Sequence, residues 1–137
     1  MHKNSDKIHF SVHFSEPIVI SQKIFSLKLL STHDFIVFVQ RYGKLLKYLS
    51  SISGACGIYK SIAEKACLVS MCLYKNSNVK VFSSPMEVLK NLTPIELKYI
   101  YNRYIKLSSQ ALKHHIKTVQ IFENVKKHRY QKDFLEK

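Results

Sequence analysis

The chain has 137 residues, 46% of them hydrophobic, with only three Gly and three Pro, which suits one domain over residues 1–137 with a moderate core. No apolar run approaches the roughly 20 residues that cross a bilayer, and the polar opening Met1-His2-Lys3-Asn4-Ser5-Asp6 is no secretory signal, so neither a membrane span nor export is expected and the location is taken as cytoplasmic. A formal charge of +13 makes nucleic acid the first partner to weigh, yet the cations are 19 Lys and only three Arg (Arg41, Arg103, Arg129), and base or bidentate phosphate recognition favours the arginine fork. Abundant Lys, Ile, Asn and Tyr is also what drift in an AT-rich genome produces, an origin of the charge that needs no polyanion.

Ile8, Phe10, Val12 and Phe14 alternate with His9, Ser11 and His13, the pattern of a half-buried strand. Ile18-Val19-Ile20 follows Pro17, and Ile24 to Leu30 alternates again, so residues 8–30 predict a small antiparallel sheet of two or three strands with Pro17 at an edge or turn. Ser31 or Thr32 caps a helix with Asp34 in its first turn. Its apolar stripe is Phe35, Phe38, Val39, Tyr42, Leu45, Leu46 and Leu49, opposite Gln40, Lys44 and Lys47. Gly54 and Gly57 break it, and about Ile58 to Tyr74, apolar nearly all round from Ala66, reads as a buried helix. Lys75-Asn76-Ser77-Asn78 is a turn and Val79-Lys80-Val81-Phe82 a short strand. Ser84-Pro85-Met86-Glu87 opens a short helix ending near Asn91.

Thr93-Pro94-Ile95-Glu96 is a further capping box, opening a pattern free of Gly and Pro to the last residue. From Pro94 to Val125 such a helix would span about 48 Å, against roughly 30 Å for a small domain. Its stripe is Leu97, Ile100, Tyr101, Tyr104, Leu107, Ala111, Leu112, His115, Val119 and Phe122. The distal members Ala111, His115, Val119 and Phe122 are therefore the candidate contacts with another polypeptide. The fold class is α+β: the small N-terminal sheet packed on a mainly helical part, 32–125, that ends in the long amphipathic helix, with a basic tail over 126–137.

No catalytic constellation emerges, and no enzyme is expected. Cys56, Cys67 and Cys72 are odd in number, lack zinc spacing, and two lie in an apolar run where a thiol acts as a small hydrophobe. His114 and His115 point about 100° apart on a helix and share no partner at i+4, which makes His115 a packed residue and His114 an exposed one. His9 and His13 lie about 13 Å apart along a strand. Nine scattered carboxylates, several at helix starts, offer no acid and base pair, and neither cofactor nor metal is expected. The densest basic cluster, Lys126, Lys127, Arg129 and Lys132, would hold phosphates if any segment does. A helix end bearing cations that complement its dipole is the simpler account. Tyr101 and Tyr104 fall on the packed stripe, which argues against base stacking.

The order of these elements resembles the tail assembly chaperones of tailed phages and prophages over about residues 8–108. The likeness rests on the apolar-Pro-apolar step Ser15-Glu16-Pro17-Ile18-Val19-Ile20, the strand into a helix Phe25-Ser26-Leu27-Lys28-Leu29-Leu30-Ser31-Thr32-His33-Asp34-Phe35, and the leucine-turn-helix element Val88-Leu89-Lys90-Asn91-Leu92-Thr93-Pro94-Ile95-Glu96-Leu97. The family often has a glycine between its first two strands, where this chain has Ser21-Gln22, and the tail after Ser108 has no counterpart. The resemblance implies a nonenzymatic helper in the host cytoplasm that binds an aggregation-prone tail protein, or its own copy in a homo-oligomer. The alternatives are a small basic nucleic-acid-binding accessory protein and a structural subunit retained in the particle.

Overall fold

The computed structural model describes residues 15–53, 57–76 and 78–135, with side chains described outside 53–58 and up to 127. The strand expected over 8–14 lies outside the described residues. In order come β1 (Ser15–Ile20), β2 (Lys23–Lys28), α1 (Thr32–Ser53), α2 (Gly57–Cys72), β3 (Leu73–Tyr74), α3 (Pro85–Asn91) and α4 (Pro94–Leu135). The class is α+β, as the patterning predicts: among the described residues, a three-stranded antiparallel sheet ordered β1-β2-β3 and four helices.

The β1–β2 hairpin pairs Ile18 with Phe25 and Ile20 with Lys23. Strand alternation sends Ile18, Ile20 and Leu27 into the core and leaves the opposed Val19 and Ile24 outside. Its two-residue turn holds Ser21 at φ 50° and Gln22 at φ 65°, the left-handed values of a type I′ turn that Asn-Gly usually fills. These are the positions where the resembled family tends to glycine. Ser21 Oγ also donates to Glu96 Oε2 at 3.2 Å, fastening the turn to the start of α4.

The third strand is not where the sequence pattern suggested. The chain leaves α2 at Cys72 and passes straight into Leu73–Tyr74, which pair with Leu27 and Ser26 of β2. Every residue from Ala66 to Leu73 is buried, so the apolar run carries no periodicity to separate a core helix from a core strand. The segment expected as a strand near Val79 makes one bridge, Lys80 to Tyr74, with Val81 N donating to Leu73 O at 3.1 Å.

Capping residues set the helix starts. Ser31 Oγ accepts from the Asp34 N–H at 3.1 Å while Asp34 Oδ2 accepts from the Ser31 N–H at 3.3 Å. Ser84 does the same for Glu87, whose carboxylate reaches back one residue further, to the Ser83 N–H at 2.8 Å. At α4, Thr93 Oγ1 accepts from the Glu96 N–H at 3.2 Å and Glu96 Oε1 from the Thr93 N–H at 2.9 Å. These bonds favour the ionised carboxylate, so hydrogen bonds to Ser83 and Thr93 hold Glu87 and Glu96 below the ordinary glutamate range. Carboxyls acidified by folding support the fold above the ordinary glutamate range and lose that support as pH falls through it and below. Glu96→Gln is therefore expected to flatten the loss of melting temperature on acidification, and Thr93→Ala to cost about 1 kcal/mol at neutral pH by chemical denaturation.

The core gathers Ile18 and Leu27 from the sheet, Leu45 from α1, Ala63, Ala66, Cys67 and Val69 from α2, Val88 from α3 and Leu97, Ile100 and Leu107 from α4. Of the expected α1 stripe, Leu45 is buried and Phe38, Tyr42, Leu46 and Leu49 pack partly, whereas Phe35 and Val39 are exposed. The Tyr104 hydroxyl accepts from the Leu30 N–H at 3.1 Å, joining the link between β2 and α1 to α4, and Tyr101 donates to Glu64 at 3.0 Å. Arg103 meets Glu16 of β1 at 3.0 Å, charge against charge. The backbone groups into two compact units, residues up to Leu107 and residues from Ser108 onward.

Candidate interaction surface on the last helix

Helix α4 contributes to both units. Up to Leu107 it follows its predicted stripe, with Leu97, Ile100 and Leu107 buried and Tyr101 and Tyr104 partly so. From Ser108 the helix makes up the second unit on its own. There Ala111 is half-buried, while His115, Val119 and Phe122 are exposed, Val119 at 43% and Phe122 at 66%. All four singled-out residues thus lie on one uninterrupted helix, and three of them carry solvent-facing side chains.

His115, expected to pack, is exposed like its neighbour His114. The last residue that α4 gives to the buried core is Leu107, eight positions earlier. Three further exposed apolar residues, Ile116, Ile121 and Val125, lay outside the stripe read from the sequence. Leu112, Ile116 and Val119 follow one another at steps of four and three, which puts them on one helical row and was the available signal.

Between 108 and 127 the helix carries Lys113, Lys117, Lys126 and Lys127 against Glu123 alone, a net charge of four minus one, or +3. Lys126 and Lys127 are exposed. Arg129 and Lys132 fall within the span of α4 but outside the described side chains. Tyr99 is exposed, whereas Tyr101 and Tyr104 of the packed stripe are tied into hydrogen bonds.

Burial raises the Cys67 thiol to about 11, with the Arg41 charge pulling weakly the other way, and pushes Cys72 up as well. Thiolate is the reactive form, so burial disfavours reaction at both thiols while the chain is folded. Iodoacetamide at neutral pH, followed by peptide mapping, is expected to leave Cys67 and Cys72 unmodified until denaturant is added. Among the described residues, no group of three or more His, Cys, Asp or Glu could hold a metal ion, and no helix is long and apolar enough to cross a membrane. No family model, no curated protein and no solved structure matches this chain.

Proposed function

We propose that this chain is a nonenzymatic assembly helper that holds an amphipathic, acid-flanked helical segment of another protein on the last helix. The observation that carries the reading is one side of the helix bearing four exposed large apolar side chains, Leu112, Ile116 and Val119 in one row with Phe122 beside it. Apolar surface of that kind is relieved by a partner helix lying along it, the mode in which i, i+4, i+7 anchors are read. The local charge of +3 decides the partner's chemistry: a second copy would bring like charge against like, whereas a segment flanked by Glu or Asp is complementary. An over-exposed sticky helix on a well-capped body fits the holding of an aggregation-prone protein, the role implied by the resemblance to tail assembly chaperones.

The test titrates the full chain with a labelled helical peptide that carries Leu at its a and d positions and Glu at e and g, with its Lys-flanked counterpart, and with a short duplex DNA. Binding of the Glu-flanked peptide by an otherwise monomeric chain is the expected result, and it should persist when salt is raised. DNA retention that collapses between 50 and 200 mM salt, with no peptide binding, would replace this reading by the basic accessory one. Dimerisation of the chain alone in sedimentation would give the surface to a second copy instead.

A further inference from the structure

Away from the last helix, an open cleft of about 460 Å³ lies between the middle of α1 and the start of α3. Helical spacing brings Arg41, Lys44, Leu45 and Tyr48 to one face of α1 as its first wall, and Pro85 and Met86 stand across from them. The volume falls within the roughly 300–1,000 Å³ of ligand-binding clefts. Both charges in the walls are positive. Arg41 is half-buried, and among the described residues no carboxylate pairs with it. The acid nearest the opposite wall in sequence, Glu87, is committed to the Ser83 N–H.

A bare inorganic anion would leave the Leu45, Pro85 and Met86 surface and the ring of Tyr48 unused, so the occupant has an apolar body as well as negative charge. Arg, Tyr and Met are side chains enriched in the cores of protein interfaces. Small-molecule sites enclose some 70–90% of their ligand, whereas an open cleft covers one side of what lies in it, as it would a chain segment crossing the surface. The geometry points to a peptide-binding cleft that takes a bulky apolar side chain of a partner segment between Tyr48 and Met86, with an adjacent carboxylate held by Arg41 and Lys44. The guanidinium supplies a fork for two parallel hydrogen bonds and Lys44 a mobile point charge at the rim.

The experiment follows the methyl NMR signals of Leu45 and Met86 in the full chain during titration with the blocked peptide Ac-Gly-Phe-Glu-Gly-NH2, its Gln analogue, and free N-acetyl-phenylalanine. Both methyls are expected to shift with the Glu peptide, and the Gln analogue to bind about tenfold more weakly, the weight of one charge-assisted hydrogen bond. Arg41→Gln should remove most of that difference. Lys44→Gln, at an exposed position where folding is not at stake, should reduce it. Silence of the Met86 methyl at millimolar peptide, equal affinity for the Glu and Gln peptides, or undiminished discrimination in folded Lys44→Gln would each overturn the assignment. Tighter binding of N-acetyl-phenylalanine than of the peptide would overturn it too, by giving the cleft to a small free acid. Val119→Asp/Phe122→Asp should bind these peptides as the unaltered chain does, so this cleft and the helix surface stand or fall separately.

Discussion

In the double variant Val119→Asp/Phe122→Asp, affinity for the Glu-flanked helical peptide is expected to fall by at least about 100-fold, while the melting temperature of the remainder changes little. Burying one large apolar side chain is worth about 1.5–3 kcal/mol, so two such losses amount to about 3–6 kcal/mol, and each 1.4 kcal/mol is tenfold in affinity. Both side chains are exposed, hence neither contributes to the core that α4 closes with Leu97, Ile100 and Leu107. Carboxylates would also meet the acidic flanks of the partner, adding repulsion to lost contact. Val119→Ala/Phe122→Ala is the control for helix content, since alanine is the strongest helix former. It should lose binding through truncation alone. If both variants bound the peptide as tightly as the original chain, the surface would lie elsewhere.

Leu27→Ala is expected to cost about 2–5 kcal/mol of stability, a large share of the 5–15 kcal/mol typical of a folded domain. Leu27 is fully buried at the centre of the sheet, with Glu16 of β1 on one side and Leu73 of β3 directly opposite on the other. Truncation opens a void between two strands whose side chains are already 0% and 1% exposed, and a well-paired sheet has little freedom to close it. Chemical denaturation reads the loss. Because Leu27 and Leu73 share one void, adding Leu73→Ala should cost less than the sum of the two single changes. A Leu27→Ala cost below about 1 kcal/mol, the size of a surface effect, would show that β3 is not a fixed part of the core.

Local chemistry was the legible part of this chain. The three helix starts at Ser31, Ser84 and Thr93 are each declared by a hydroxyl and an acid three residues on, and the structure makes all of those bonds. Alternation from Ile24 onward marked β2, and the short apolar run Ile18-Val19-Ile20 after Pro17 marked β1. β3 was illegible because it begins inside a run that is buried on every side, where period carries no information. The wheel of α4 named Val119 and Phe122 but missed Ile116, since the stripe had been anchored on residues that face the core, and beyond Leu107 the apolar positions follow a different row. The cleft could not be foreseen: Arg41 and Met86 are 45 positions apart, and only the packing of α1 and α3 brings them together.

Pro17 carries a consequence for how this protein keeps company with itself. Among the described strands, β1 is an outermost member of the sheet, with the exposed Val19 and Ile24 side by side on its outward surface. Such an edge is a template on which a stray strand from another molecule could propagate a ladder. Proline has no amide hydrogen to offer, so a ladder meeting β1 from outside finds a missing rung in the middle of a six-residue edge. An edge without that donor is a poorer template for the strand-on-strand ladders that end in fibrils.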